Sequence, residues 1–309
     1  MTATLDTPGT AGGMAAEVAT QPDNWIDAAR IARDHRDVLP HPGERVAILG
    51  CGTSFYVARA MAALRESLGQ GETDAWPGGD AVLDRPYDRV VAISRSGTTT
   101  EVLRALEGLR DRVPVTVVTA DPQTPIAELG DVISLEEVDE QAVVQSRTAT
   151  TTIAMFRWHL GHDLTQAAEE ARQVLAIDDE TLAGETLGSV RDAEQIVFVG
   201  MGWTFGLAEE ASLKLKESTQ SWTEAYHQTE FRHGPISLSA PGRAVWALGP
   251  LVPGFARDIE ATGAALVASD RDPLAELVLV HRLCLLRAAD RGLDAGQPRN
   301  LARSIILDQ

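Results

Sequence analysis

Two short loops concentrate hydroxyl groups immediately after apolar runs. Cys51-Gly-Thr-Ser54 follows the β-rich stretch 45–50, and Ser94-Arg-Ser-Gly-Thr-Thr99 follows the stretch 89–93. Where a strand turns into a helix, exposed backbone N–H groups and the positive helix end are ready to receive an anion. Thr53, Ser54, Ser94, Ser96, Thr98 and Thr99 add neutral donors there. The two loops together predict a phosphate site, with Cys51, Gly52, Thr53, Ser54, Ser94, Arg95, Ser96 and Thr99 lining it at the carboxyl edge of an open α/β sheet. The alternative use of such hydroxyls is to cap the helices; a pair of loops of this kind favours the anion. No Gly-Lys-Ser/Thr follows either loop, and Gly50-Cys-Gly-Thr-Ser-Phe55 lacks the last glycine of a dinucleotide fingerprint.

The elements that must hold these loops repeat along the chain. Arg45-Val-Ala-Ile-Leu-Gly-Cys-Gly precedes a helical pattern over 55–68, and Gln195-Ile-Val-Phe-Val-Gly-Met-Gly precedes another over 207–218. Each reads as a buried parallel strand entering a helix through a glycine turn. Further strands are expected at 89–94, 115–120, 244–248 and 264–268. Strand–glycine–helix recurring about 150 residues apart predicts a duplicated lobe, each lobe a parallel sheet covered by helices on both faces. A helical connector is expected over 166–187, an N-terminal helix or pair over 17–36 punctuated by Pro22, and a last helix over 273–291 stopped by Gly292. The division that follows is a disordered leader at 1–14, a first lobe with its N-terminal helix at 15–165, the connector at 166–187, a second lobe at 188–290 and a C-terminal tail closing the site at 291–309.

Composition narrows the partners. A net charge of −18 opposes any sequence-independent hold on nucleic acid and requires local donors to bind an anion. No apolar run reaches the roughly 18–20 residues of a membrane span, and the opening residues have neither the basic start nor the apolar stretch of a secretory signal. Two distant cysteines, Cys51 and Cys284, predict a thiol-reduced, cytoplasmic protein. Cys51 reads as a packing residue whose loop position would lower its pKa. His159 and His162 are three apart but lack an acidic or Cys partner, so no metal is expected, and no cofactor.

These loops resemble the phosphate loops of the sugar-isomerase (SIS) family, most like the isomerase half of glucosamine-6-phosphate synthase (glutamine–fructose-6-phosphate aminotransferase). The likeness continues through Ala211-Ser-Leu-Lys-Leu-Lys-Glu-Ser218, Glu224-Ala-Tyr226, Glu230-Phe-Arg-His-Gly-Pro235 and Gln297-Pro-Arg-Asn-Leu-Ala-Arg-Ser304. It implies two flavodoxin-like SIS lobes in a homodimer with a shared site, and a sugar-phosphate ligand. By the same resemblance Ser54, Ser94, Ser96 and Thr99 cradle the phosphate and Ser146 contacts the ligand. Glu217 is the base that moves a proton between C1 and C2, and His233 opens the ring from the partner subunit. The departures are a missing glutaminase half, a second lobe shortened between 250 and 274, and Arg95 placing a cation where an uncharged residue is usual. Arg303 stands where the synthase has its imine-forming lysine, and a guanidinium does not form an imine readily. Glutamine-dependent amino transfer is therefore not expected.

Proton transfer between neighbouring sugar carbons needs one base beside both and donors for the oxygen that gains charge. Glu217, partly desolvated at a sheet edge, meets the first requirement, and a histidine such as His233 is the natural carrier for ring opening near neutral pH. Glu210 lies two helical turns before Glu217, on the same face, where it would orient a ligand hydroxyl or bridge to a basic neighbour. The expected protein is a stand-alone enzyme acting on a hexose 6-phosphate or its 2-amino derivative. Isomerisation, hydrolytic deamination and deglycation all use the same residues. The alternative is a non-catalytic sugar-phosphate sensor.

Overall fold

In the computed structural model, which describes residues 13–307, nine strands form two wholly parallel sheets. The first contains β1 (Val46–Gly50), β2 (Thr73–Pro77), β3 (Arg89–Ile93), β4 (Val115–Thr119) and β5 (Asp131–Ser134), in the order β2-β1-β3-β4-β5. This is the flavodoxin-like order. The second contains β6 (Ile196–Gly200), β7 (Thr223–His227), β8 (Ala244–Leu248) and β9 (Ala265–Val267), in the order β7-β6-β8-β9. The duplication holds to the residue. Val46 pairs with Thr73 and Gly50 with Pro77 in one sheet, as Ile196 pairs with Thr223 and Gly200 with His227 in the other.

The helices are α1 (Met14–Ala19), α2 (Gln21–Asp34), α3 (Thr53–Ser67), α4 (Thr100–Leu106), α5 (Arg147–His159) and α6 (Thr165–Ala176) in the first part of the chain. Then come α7 (Asp179–Thr181), α8 (Gly188–Arg191), α9 (Trp203–Thr219), α10 (Gln228–Phe231), α11 (Phe255–Glu260) and α12 (Pro273–Asp290).

Strand alternation decides how the cores are shared. Side chains alternate between the faces of a strand. Val46 and Ile48 of β1 and Ile196 and Phe198 of β6 point into one continuous core that runs between the sheets. Ala47 and Leu49 face a separate outer cluster, and Val197 and Val199 face another. The two sheets therefore share a single interior. A close crossing within it is α3 against α9, where a Cβ on Gly206 would lie 2.6 Å from the Ala60 nitrogen and 2.7 Å from the Tyr56 carbonyl oxygen. Only hydrogen fits there, and the close approach carries the second lobe's helix up to the first lobe's loop.

Several expectations change. Pro22 does not punctuate the N-terminal helix: the break is at Thr20, and Pro22 sits in the first turn of α2, where its missing N–H costs nothing. Residues 1–12 of the expected leader lie outside the described residues, whereas Met14 begins α1 and is buried. The stretch expected as a connector opens with α6, which packs Ala167, Ala168, Ala171 and Val174 into the common core. Strands β2, β5 and β7 were not expected. They lie at sheet edges and are only part-buried, so their sequences, Thr-Asp-Ala-Trp-Pro for β2 and Thr-Glu-Ala-Tyr-His for β7, lack the all-apolar signature of the central strands.

Candidate active site

The carboxyl ends of β1 and β3 open into a cleft of about 140 Å³. At the β1 corner the chain turns through Gly52 (φ 55°, ψ −125°), a left-handed conformation that favours glycine. Gly202 turns with nearly the same angles (φ 54°, ψ −125°) at the corner of β6. Thr53 and Ser54 then start α3, both buried, and neither caps the helix. The second loop follows β3, with Ser94, Ser96 and Thr99 on the cleft. The three cleft-lining hydroxyls make only long contacts: Ser94 Oγ lies 3.4 Å from Thr99 Oγ1, and Ser96 Oγ accepts from the Thr98 N–H at 3.4 Å and from Thr98 Oγ1 at 3.3 Å. They are not committed to capping α4 either. Donors held near one another and left underused suit an incoming oxyanion.

Glu217 lines the same cleft, delivered by α9. What positions it is Lys214, a residue with no exposed surface. The Lys214 Nζ donates to Glu217 Oε2 at 2.6 Å and to Thr53 Oγ1 at 2.8 Å, and lies 3.5 Å from Glu210 Oε1. The ammonium thus joins the anion loop of one lobe to the carboxylate of the other. Burial works to lower the Lys214 pKa, but the Glu210 and Glu217 charges outweigh it and hold the value above the ordinary one. Burial pushes Glu210 up to about 7, against the opposing pull of Lys214. Glu210 is not among the residues lining the cleft; it accepts from Thr53 Oγ1 at 3.3 Å and bridges to the lysine, the second of its two expected uses.

Other predicted residues sit differently. Arg95 borders the cleft and is buried, but its guanidinium is engaged by the protein itself. Its N–H groups donate to the Ala142, Val143 and Arg303 carbonyl oxygens, with Glu140 3.8 Å away. It adds no free cation for a phosphate. Ser146 is fully buried outside the cleft lining, and its N–H and Oγ both donate to Glu140. The neighbouring Val143 and Gln145 face the cleft instead. Arg303 does line the cleft, with its guanidinium clamped on Asp139 and the Glu140 carbonyl oxygen. The tail around it crosses the second loop: Thr98 Oγ1 donates to Ser304 Oγ at 2.9 Å, and the Thr100 N–H donates to the Ile305 carbonyl oxygen at 3.3 Å. His233 is exposed on a loop of the second lobe, away from this cleft. Cys51 touches the cleft, but burial raises its thiol pKa despite the Gly78 N–H, contrary to the lowering expected from its loop position. Lys214 and Glu101 were missed. The first had a signal, since positions 210, 214 and 217 fall on one helical face.

Among the described residues no helix is long and apolar enough to cross a membrane.

A sequence profile of the SIS domain matches residues 41–159. Among curated proteins, the chain is 26% identical over 312 residues to the glutamine–fructose-6-phosphate aminotransferase [isomerizing] of Pyrobaculum aerophilum, covering 85% of this chain and 51% of that protein. It is 27% identical over 310 residues to the enzyme of the same name from Methanothermobacter thermautotrophicus, covering 86% and 52%. The chain spans about half the length of the curated relatives it matches. Among solved structures, a glucosamine-6-phosphate deaminase from Thermotoga maritima superposes with a TM-score of 0.79 at 22% identity, covering 96% of this chain and all of that one. A tagatose-6-phosphate ketose/aldose isomerase from Escherichia coli gives 0.76 at 18% identity, covering 98% and 99%. At these identities the likeness establishes the fold.

Proposed function

We propose that this chain, whose residues 41–159 match the SIS domain, catalyses proton transfer between C1 and C2 of an open-chain phosphosugar, as an isomerase or an amino-sugar-phosphate deaminase. One observation carries the reading. Glu217, tethered by a buried lysine, lines the same cleft as the hydroxyls of Ser54, Ser94, Ser96 and Thr99. The hydroxyls and the start of α3 hold the phosphate, which fixes the sugar chain along the cleft. Glu217 takes the C2 proton and returns it to C1. Lys214, 2.6 Å away, keeps the carboxylate oriented and supplies a positive charge for the developing enediol. With a hydroxyl on C2 the product is a ketose. With an amine on C2 the product is a C2 imine, which water hydrolyses to the ketose and ammonia.

Ring opening falls to His233 of a second copy in this proposal, since within one chain that side chain is exposed and away from the cleft. The homodimer is part of the same proposal. Mixing Glu217 and His233 variants is expected to restore part of the activity, and no recovery would remove the shared site.

Solvent exchange tests the chemistry directly. In deuterated water the protein is expected to place deuterium at C2 of a bound sugar phosphate, and Glu217→Gln is expected to stop this while still binding the ligand. Full exchange by Glu217→Gln refutes the assignment of the base; binding without exchange by the unsubstituted chain refutes the enzyme.

A further inference from the structure

The charged side chains of the cleft are nearly all answered. Lys214 is held by Glu217, Arg303 by Asp139, and Arg95 by carbonyl oxygens beside Glu140. Glu101 is the one of them with no ion pair among the described residues, although the Arg95 Nε also lacks a hydrogen-bond partner. It lines the cleft from the first turn of α4, and its Oε2 is shielded from solvent with no hydrogen-bond partner among the described residues. Its place is narrow. A Cβ on Gly79 would stand 3.7 Å from Glu101 Cγ, and on the other side the tail is strapped to the neighbouring Thr100.

A shielded carboxylate oxygen without a donor is costly, even though Glu101 as a whole is part-buried and only its Oε2 is closed off. Here it lines a cleft that, on the proposed function, must also admit a phosphate dianion, and the ammonium of Lys214 is already engaged by Glu217. A hydroxyl substrate leaves that charge unanswered and adds two more. A substrate that carries its own ammonium answers it.

We infer that Glu101 is the specificity-determining residue of the cleft and selects phosphosugars bearing an amine over their hydroxyl counterparts. Two sources share this chemistry: a 2-amino-2-deoxyhexose 6-phosphate, and the adduct of a phosphosugar with the amine of another molecule. The inference rests on the phosphosugar reading and goes beyond it by naming the substrate class.

Calorimetric binding in a Glu217→Gln background, where turnover is blocked, tests it with three probes: 2-amino-2-deoxyglucose 6-phosphate, glucose 6-phosphate and a 6-phosphofructosyl-glycine adduct. One amine probe is expected to bind at least tenfold more tightly than glucose 6-phosphate, and whichever does so identifies the source. Adding Glu101→Gln, which keeps the shape and removes the charge, is expected to shrink that preference on the order of ten- to a hundredfold, the worth of a hydrogen bond to a charged group. Affinity for glucose 6-phosphate is expected to hold or rise. Equal binding of all three probes to the Glu217→Gln protein overturns the inference, as does a preference that neither Glu101→Gln nor Glu101→Ala moves. So does a change in dimer dissociation at constant ligand preference, which would assign the carboxylate to the other subunit. The two readings fail separately. Deuterium exchange into C2 without amine preference removes only the specificity claim, amine preference without exchange removes only the enzyme, and no phosphosugar binding removes both.

Discussion

Replacing Lys214 with methionine keeps most of the volume of a fully buried side chain and deletes its charge. In the native chain the ammonium touches Glu217 at 2.6 Å and Thr53 at 2.8 Å, with Glu210 at 3.5 Å. Breaking a buried pair by removing one partner typically costs about 3–5 kcal/mol, because the other charge is stranded. Two carboxylates are stranded here, and they respond differently. Glu210 already titrates at about 7 with the lysine present, and removing the lysine's pull raises it further, so at pH 7 it escapes by taking a proton. Glu217 keeps 15% of its side chain exposed and can be partly hydrated. The loss should therefore fall near the lower end, about 3 kcal/mol at pH 7, and should grow as pH rises above 7. Urea unfolding followed by tryptophan fluorescence at pH 6, 7 and 8 measures it, the shared core making one transition the expectation. Combining Lys214→Met with Glu217→Gln should recover part of the loss, a coupling of about 1.5–3 kcal/mol, the worth of a hydrogen bond to a charged group. A loss below about 1 kcal/mol at pH 8, or singles that simply add, would refute the claim that this lysine joins the lobes at the site.

The raised Glu210 pKa stabilises the fold in its protonated form, so that contribution is complete below about pH 4.5 and is lost as pH rises through about 7. Glu210→Gln should flatten the fall in unfolding free energy over that window, which pH-dependent urea melts would show. Ser94→Ala combined with Ser96→Ala should weaken phosphorylated ligands by roughly ten- to a hundredfold, as expected for hydrogen bonds to a charged group, while hardly changing the binding of neutral sugars in the same titration. Gly206→Ala should cost about 1–3 kcal/mol by thermal or urea unfolding, because the new methyl meets α3 backbone at 2.6 Å. It should also lower kcat more than KM, since the displaced helix carries Glu217.

The central strands and the two glycine corners were legible because their signals are local. Val-Ala-Ile-Leu-Gly and Ile-Val-Phe-Val-Gly, short, apolar and stopped by glycine, read as strands buried on both faces, and the corner after each needs a residue that tolerates positive φ. Of the edge strands, β9 was expected at 264–268, but β2 and β7 were not legible, since a half-buried strand with a charged residue at its second position reads as loop, and β5 opens on the charged Asp131. Glu217 could be named from the motif around it, as could the hydroxyls of the two loops, because residue type and spacing along one segment define them. Which charges remain free was decided only in three dimensions. The Arg95 sequence position suggests a phosphate cation, but its guanidinium donates to the carbonyls of residues 142, 143 and 303, and Ser146 likewise donates to Glu140. Lys214 meeting Thr53, and Glu101 Oε2 lacking a donor among the described residues, are likewise facts of packing. Hydrogen bonds and ion pairs form between groups brought together by the fold at ångström range, and no pattern within one segment specifies a partner some 160 residues away.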